Sequence, residues 1–108
     1  SMSTAAIDDP VLKRFRNKLR ETYGNRLERA VLYGSRARGD ARADSDYDIA
    51  VFLHDLPDCW PEMDRLADIG TDTLFAEDKV IHAMAFPAGS WQERTPLMHE
   101  IRQDGMDL

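Results

Sequence analysis

The feature of this sequence that most constrains its fold is the run from Asp46 to Leu53. Apolar residues fill every second position of this run, and these are Tyr47, Ile49, Val51 and Leu53. Such alternation predicts a β-strand with one face in the core, because successive side chains of a strand point to opposite faces. Asp46 and Asp48 then project from the other face, about 7 Å apart along the strand. The sequence therefore predicts a sheet that carries two carboxylates where one strand begins.

The rest of the chain divides into segments of helical and strand pattern in the order α, β, short α, β, α, β, α. The boundaries are a helix over 10–23, a strand over 26–33, a helical turn and loop over 36–42, the strand over 46–53, a helix over 61–74, a strand from Asp78 or Lys79 to Phe86, and a last helix capped by Ser90 with Glu93. We expect Pro96 to kink or break that last helix. This order predicts an α/β (α+β) domain with a small mixed central sheet of three or more strands, flanked by helices.

Length and charge narrow the class of protein. We expect 108 residues to form one domain over 1–108, with residues 1–8 a tag remnant and a flexible N-terminus. Acidic residues outnumber Lys and Arg by 20 to 14, which argues against general nucleic-acid binding. One cysteine, Cys59, excludes an intrachain disulfide and favours the cytoplasm. No apolar run approaches the roughly 18 residues of a membrane span.

A second polar feature follows the strand over 26–33, where Gly34 and Ser35 end it. A glycine lets the backbone approach a phosphate closely, and the free N–H groups of the next helical turn favour an anion. Arg36 and Arg38 lie nearby and are candidates for phosphate contacts. If this strand and the strand over 46–53 are neighbours, the phosphate cradle meets the two aspartates. Mg²⁺ commonly uses one or two carboxylates together with substrate phosphates.

Simpler interpretations remain for each part. Taken alone, a Gly-Ser pair at a strand end is most often a turn. Asp44, Asp46 and Asp48 also match the opening of a calcium-binding EF-hand loop, but Ile49 stands where that loop needs glycine. The segment from Ser45 to Asp48 could be a solvated loop, since turns are rich in Asp and Ser. A histidine such as His82 is more often a partly buried strand residue than a ligand. Trp60, Trp91, Phe75 and Phe86 are most simply aromatic residues of the core or of an interface.

Together, these motifs resemble a known family. The pattern G-S-x10-D-x-D, within GSRARGDARADSDYDIAV, is similar to the signature of the DNA polymerase β-like nucleotidyltransferase superfamily, in particular its minimal nucleotidyltransferases. The resemblance extends from about Leu27 to Gly105 and implies the nucleotidyltransferase fold. It implies that Gly34 and Ser35 hold the triphosphate of ATP or another NTP, and that Asp46 and Asp48 are catalytic and bind one or two Mg²⁺ ions. A nucleotide would pass to a hydroxyl with release of pyrophosphate.

The chain departs from the family at one position. Members normally carry a third carboxylate on a later strand, but Lys79 to Phe86 contains no Asp or Glu. Glu77 and Asp78 precede that segment and His82 lies within it. The third carboxylate is therefore one of these acids, a partner's residue, or absent.

The resemblance also implies a partner. Minimal nucleotidyltransferases are often encoded beside a helical HEPN-domain protein, which they neutralise as antitoxins by adenylylating it or by binding it. Two hypotheses follow: a Mg²⁺-dependent enzyme that transfers AMP to a partner protein, or a catalytically weakened module that only binds the partner.

Overall fold

The computed structural model describes residues 3–4 and 8–108. Within them the chain forms five strands and four helices, with short 3₁₀ turns at Gly24–Arg26 and Ser90–Gln92. The elements in chain order are β1 (Ser3–Thr4), α1 (Pro10–Tyr23), β2 (Leu27–Tyr33), α2 (Ser35–Arg38), β3 (Tyr47–Leu53), α3 (Cys59–Glu77), β4 (Ile81–Pro87), α4 (Pro96–Asp104) and β5 (Met106–Asp107). The α/β class with a small mixed sheet is confirmed.

The five strands form one sheet in the order β1-β5-β2-β3-β4. β2 runs antiparallel to both of its neighbours, β3 and β5, while β4 runs parallel to β3 and β1 parallel to β5. The register places Tyr33 opposite Asp48 on one side of β3 and His82 opposite Asp48 on the other. The start of β3 therefore meets the end of β2 and the start of β4.

Helices α1 and α3 cover one face of the sheet. Asp9 caps α1 by accepting a hydrogen bond from the Val11 amide (2.9 Å), and Pro10 occupies the first helical position, where its missing N–H costs nothing. Helix α1 buries one apolar stripe against Ile49, Val51 and Leu53 of β3, and the stripe consists of Val11, Leu12, Phe15, Leu19 and Tyr23.

Helix α4 covers the opposite face and buries Met98 and Ile101 against β2 and β3. The prediction that Ser90 caps this helix was wrong, whereas of the kink or break expected at Pro96 the break is observed, because α4 begins only there. Ser90 begins a separate 3₁₀ turn, and the Thr95 side chain caps α4 by accepting from the Met98 amide (3.2 Å). Pro96 lies at the first helical position, which tolerates a residue without an N–H.

Other boundaries also differ from the predictions. Helix α3 is longer than expected at both ends, because Asp58 caps it before Pro61 and Asp78 closes it in a left-handed conformation. Strand β4 therefore begins at Ile81, later than the predicted start at Asp78 or Lys79. The two-residue strands β1 and β5 were missed because they are too short to show a pattern. The predicted flexible segment over 1–8 lies mostly outside the described residues.

Two aromatic residues of α3 are not core residues. Trp60 is 74% exposed and Phe75 is 85% exposed, whereas Phe86 stacks on the buried Phe52 with ring centroids 5.6 Å apart. An interface role for Trp60 and Phe75 stays a prediction. No helix in the described part of the chain is long and apolar enough to span a membrane.

Candidate functional site

The two aspartates of the D-x-D motif lie where β3 begins, on the face of the sheet that α4 covers only in part. Their neighbours on that face, Ala50 and Phe52, are buried under α4, while the side chains of Asp46 and Asp48 are 41% and 34% exposed. These four residues share one face of β3, and α4 covers the later two while it leaves the first two accessible. Both carboxylates face solvent beyond the edge of α4.

The turn after β2 brings Gly34 against the second aspartate. Gly34 has φ +73°, and a Cβ atom built on it would lie 2.5 Å from Asp48 Oδ2. A side chain at position 34 would therefore displace the end of the Asp48 side chain from this position. The Gly34 carbonyl accepts the amides of Ala37 and Arg38, so the first amide of the helical turn, that of Ser35, is not used by α2 itself. The glycine-serine turn and the carboxylates therefore share one end of the sheet.

A histidine completes the cluster from the neighbouring strand. His82 of β4 stands opposite Asp48 in the parallel register, with Nε2 3.5 Å from Asp46 Oδ2 and Nδ1 3.9 Å from Asp48 Oδ1. Its side chain is 66% exposed, so the interpretation as a partly buried strand residue was wrong. This histidine lies on the later strand, beside the two aspartates, where the family resemblance implies a third carboxylate.

The two acids considered for that third position lie elsewhere. Glu77 accepts a hydrogen bond from Arg14 of α1 (3.1 Å), and Asp78 ends α3 with φ +56°. Within the described residues, neither acid joins Asp46 and Asp48 in a group of three side chains that could hold a metal ion. The alternative of a third carboxylate from within this part of the chain is therefore not supported.

The electrostatics of the cluster reflect crowding of negative charge. Partial burial raises the pKa of Asp48 above its usual value of 3.8, and the charge of Asp46 raises it further. His82 and Arg38 act in the opposite direction on the same pKa. Burial also raises the pKa of Tyr33, with added effects from Asp48 and Glu100. A bound cation would relieve the cost of holding Asp48 ionised beside a second carboxylate.

Arg36 is engaged with the loop that leads to the aspartates. Its guanidinium donates to the Ser45 carbonyl (2.8 and 3.1 Å) and to the Ala43 carbonyl (3.1 Å), and it lies 4.1 Å from the centre of the Tyr47 ring. These contacts tie α2 to the residue that precedes Asp46. The structure thus gives Arg36 a role in holding the loop, and its contact with phosphate stays a prediction.

Arg38 is held more loosely. It pairs with Asp40 and with Glu100 of α4, each at 3.4 Å, and its side chain is 40% exposed. Exposed ion pairs of this kind contribute about 0–1 kcal/mol, so a phosphate could displace them at low cost. Sequence reasoning missed Tyr33 and Glu100, which reach the cluster from β2 and α4. Only the position of Tyr33 next to Gly34 could have indicated it.

The donor set suits a divalent cation. Two carboxylates from one strand face supply the hard oxygen ligands that Mg²⁺ and Mn²⁺ accept, and an imidazole nitrogen is within reach. Within residues 3–4 and 8–108, no three His, Cys, Asp or Glu side chains converge as a complete metal site. A cation held by Asp46 and Asp48 would therefore fill its remaining positions with water or with the oxygens of a substrate.

Comparison with known proteins agrees with this geometry. The family described as "Polymerase beta, Nucleotidyltransferase" matches residues 17–106, which include every residue of the site. The chain belongs to this nucleotidyltransferase family. The resemblance expected from the glycine-serine pair and the D-x-D motif is thereby confirmed.

A sequence relative supports the same family, and solved structures share the fold. A candidate protein adenylyltransferase of Methanocaldococcus jannaschii, MJ0604, is 32% identical over 77 residues, which cover 71% of this chain and 71% of that protein. The fold resembles a candidate nucleotidyltransferase from Sulfolobus solfataricus, with a TM-score of 0.64, 18% identity, and 90% and 75% of the two chains covered. It also resembles a toxin-antitoxin structure with AMP-PNP, with a TM-score of 0.59, 19% identity, and 86% and 68% covered.

Proposed function

We propose that this nucleotidyltransferase uses Mg²⁺ to transfer a nucleotide, AMP from ATP, to a hydroxyl group of a partner protein. The observation that carries the proposal is the contact between the Gly34 turn and the Asp48 carboxylate, because a Cβ atom at position 34 would lie 2.5 Å from Oδ2. That contact joins a backbone suited to phosphate with a carboxylate suited to a metal. Neither feature alone would define a nucleotide site.

Each residue of the site has a stated part in binding. The backbone of Gly34 and the amide and hydroxyl of Ser35 hold the triphosphate, because a glycine turn lets phosphate oxygens approach main-chain N–H groups. Arg38 exchanges its weak surface ion pairs for the phosphate charge. Arg36 holds the loop and adds positive charge beside it. Asp46 and Asp48 would hold a divalent cation, which would neutralise phosphate charge beside them.

The reaction follows from this arrangement. The acceptor oxygen bonds to the α-phosphorus, the bond between the α- and β-phosphates breaks, pyrophosphate leaves with the electron pair, and the hydroxyl proton passes to solvent. When bound, the cation neutralises phosphate charge and activates the attacking oxygen. The chain itself contributes by positioning the phosphates and by excluding alternative geometries, and such positioning is a large part of catalysis in reactions of this type.

A protein is the acceptor that best fits the open site. The carboxylates and His82 are accessible from solvent, so a large acceptor can approach them. A 32% identical relative is described as a protein adenylyltransferase, and one structural neighbour is part of a toxin-antitoxin complex. We extend these descriptions to a helical HEPN-type partner that this chain neutralises in the cytoplasm.

An assay with labelled ATP tests the proposal. The chain is incubated with Mg²⁺, ATP labelled on the α-phosphate, and the product of the neighbouring gene as the candidate partner. We expect label on the partner, with a loss of at least about 100-fold in Asp46→Asn and Asp48→Asn, since each variant removes a ligand of the cation. Asp44→Asn, in the same loop, is the matched control and keeps the activity. Equal labelling by all variants would reject the assignment.

A second function is supported by one observation. His82 stands where a third carboxylate is expected, and a transferase with two carboxylates can retain nucleotide binding while losing transfer. The chain would then neutralise its partner by forming a complex. Tight complex formation that is unchanged in Asp46→Asn and Asp48→Asn, together with no label on the partner, favours this binding module.

A further inference from the structure

We propose that two copies of this chain pair through the face formed by helices α1 and α3, with the basic α1 of each copy lying on the acidic α3 of the other. These helices cover the side of the sheet opposite to α4, whereas Asp46 and Asp48 lie on the α4 side. The proposal therefore goes beyond the proposed function and does not depend on it.

The outward face of α3 combines acidic and aromatic side chains. Helix α3 buries Leu66, Ile69 and Thr73, and the residues opposite to them on the helix are exposed. These exposed residues are Trp60, Asp64, Ala67, Asp68, Thr71, Asp72 and Phe75. The aromatic side chains stand at the two ends of this stripe, and they are 74% and 85% exposed. Because Trp and Phe are enriched in protein interfaces, such a stripe is typical of a surface that another protein covers.

The two helices carry opposite charges of equal size. Helix α1 has five Lys and Arg residues against one Glu, which gives a formal charge of +4. Helix α3 has five Asp and Glu residues against one Arg, which gives −4. The apolar stripe of α1 faces the core, so Lys13, Arg14, Asn17 and Arg20 are exposed. The α1–α3 face is therefore positive on one half and negative on the other.

This division of charge selects one way of pairing two copies. The helices run antiparallel, since Arg14 of α1 contacts Glu77 at the end of α3 (3.1 Å) and Arg26, just after α1, contacts Glu62 near the start of α3 (3.3 Å). A twofold axis parallel to the helices places each α1 on the α3 of the other copy. A twofold axis across the helices would place α1 on α1 and α3 on α3, with like charges together. Charge complementarity therefore favours the parallel axis.

The same axis determines which residues meet. Rotation about an axis parallel to the helices keeps every residue at its level along them, so the contacts within one copy give the levels. Arg20 is midway in sequence between Arg14 and Arg26, and these two contact residues 77 and 62 of α3. Arg20 of one copy therefore lies near the middle of α3 in the other, where Asp68 is exposed. Phe75 of α3 correspondingly lies near the start of α1 in the other copy.

A cavity at the start of α1 suits this aromatic side chain. It has a volume of about 410 Å³, and its lining includes Pro10, Lys13, Arg14 and Asn17. Lys and Arg side chains offer an aromatic ring both apolar methylene groups and a cation above its face. Phe75 of the second copy can therefore occupy the cavity, while Trp60 meets the other end of α1.

The size of the face predicts a weak dimer. At 1.5 Å per residue, the 14 residues of α1 and the 19 residues of α3 extend about 21 and 28 Å, and two helices side by side are about 20 Å wide. A face of roughly 500 Å² in projection is at the lower end for specific interfaces, which bury about 800 Å² per partner. We therefore expect a Kd of roughly 10 µM that rises with salt, because the paired charges are at the surface.

Sedimentation equilibrium from about 1 µM to about 500 µM protein, at low and high salt, tests the proposal. We expect a monomer–dimer equilibrium whose Kd rises at least about tenfold in Asp68→Arg and in Arg20→Glu, since each variant opposes like charges. The double variant restores the dimer because the exchanged charges attract again. Glu93→Arg, an exposed change of the same net charge on the other side of the sheet, is the matched control and keeps the wild-type Kd.

Tryptophan fluorescence gives a second readout. The chain has two tryptophans, so Trp91→Phe leaves Trp60 as the only indole. We expect its emission to shift to shorter wavelength as the protein concentration rises, because the dimer removes the ring from water. Phe75→Ser should weaken the dimer at least about tenfold, as expected for loss of a buried aromatic anchor. Circular dichroism melts at low concentration check that all variants are folded.

The outcomes decide between this dimer and other occupants of the face. A monomer at every concentration overturns the proposal. A dimer that ignores Asp68→Arg and Arg20→Glu, or that the double variant fails to restore, overturns the α1–α3 pairing. A monomeric chain that binds its candidate partner through Asp68 and Phe75 assigns the face to that partner instead. None of these results changes the expected transfer of label, because Asp46 and Asp48 lie on the other side of the sheet.

Discussion

Gly34 is the residue at which a single methyl group has the clearest expected effect. Its backbone, at φ +73° and ψ −157°, is a conformation that residues with a side chain rarely adopt, and its missing Cβ makes room for the Asp48 carboxylate. The site therefore depends on an absent side chain as much as on those that are present.

We expect Gly34→Ala to lower the free energy of unfolding by about 1–3 kcal/mol, because alanine is strained at this backbone conformation. It should also weaken binding of AMP-PNP, because the new methyl group displaces Asp48. Urea denaturation and calorimetric titration measure the two effects. Gly39→Ala is the control: Gly39 also has a positive φ, of +85°, but nothing lies within 4 Å of its Cβ position. Equal loss of binding in both variants would contradict the role of the close contact.

At the scale of elements, a hydrogen bond joins the residue that caps the first helix to strand β3. Tyr47 of β3 donates from Oη to Asp9 Oδ2 (2.9 Å), and the other oxygen of Asp9 caps α1. Tyr47 is also the aromatic ring under Arg36. The start of β3, which carries Asp48, is therefore connected to the N-terminus of α1 through Asp9 and to α2 through Arg36.

Tyr47→Phe tests this link through the dependence of stability on pH. Burial, followed by the hydrogen bond and charge of Asp9, raises the pKa of Tyr47 from 10.0 to about 12. Between these values the folded state holds the proton more tightly than the unfolded state, so the free energy of unfolding falls as pH rises from 10 to 12. We expect a flatter profile in Tyr47→Phe by urea denaturation, and a loss of about 1–2 kcal/mol at pH 8. Tyr33→Phe, whose hydroxyl has no hydrogen bond to the described residues, should lose less at pH 8.

Arg36→Ala tests the link between α2 and the loop. The variant loses three hydrogen bonds to carbonyl groups and the contact with the Tyr47 ring, so we expect unfolding to become easier by about 1–3 kcal/mol. Cation binding should weaken too, since the loop positions Asp46. Arg42→Ala, an exposed neighbour, is the control and should change stability by less than about 0.5 kcal/mol. If Arg36→Ala melts like the wild type but binds ATP more weakly, Arg36 contacts the phosphate directly and does not act by holding the loop.

At the scale of the whole molecule, the sheet separates two apolar clusters. The larger cluster lies beneath α1 and α3, and the smaller one lies beneath α4 around Val31, Phe52 and Ile101. The candidate site is at the rim of the smaller cluster, where α4 no longer covers the sheet. A ligand that binds at this rim only in the folded state should stabilise the whole domain.

Ligands should accordingly stabilise the protein as a whole. A ligand at about 100 times its Kd adds about 2.7 kcal/mol, which raises Tm by roughly 10 °C or more in a domain of this size. We expect Mg²⁺ with AMP-PNP to produce such a shift in differential scanning calorimetry, and EDTA to reverse it. Asp46→Asn should not respond, while Asp44→Asn should respond as the wild type does. A shift that persists in Asp46→Asn would place the ligand elsewhere.

Local sequence patterns determined several features directly. The apolar period of α1, its Asp9 cap and Pro10 specify the helix, because all three act within a few residues of one another. The alternation in β3 likewise placed Asp46 and Asp48 on one face, since that depends only on the period of a strand. The family resemblance followed from the same short motifs.

Tertiary structure alone decided which partners these local features meet. His82 lies 34 positions after Asp48 in the sequence, and it is beside Asp48 because β4 pairs in parallel with β3. This pairing depends on how helix α3, which connects the two strands, packs against the core. Glu100 reaches Arg38 for the same kind of reason, and β5 joins the sheet between β1 and β2 although it is two residues long. Local periodicity sets the direction of a side chain, but contacts between distant segments depend on the packing of the whole chain, which no short pattern encodes.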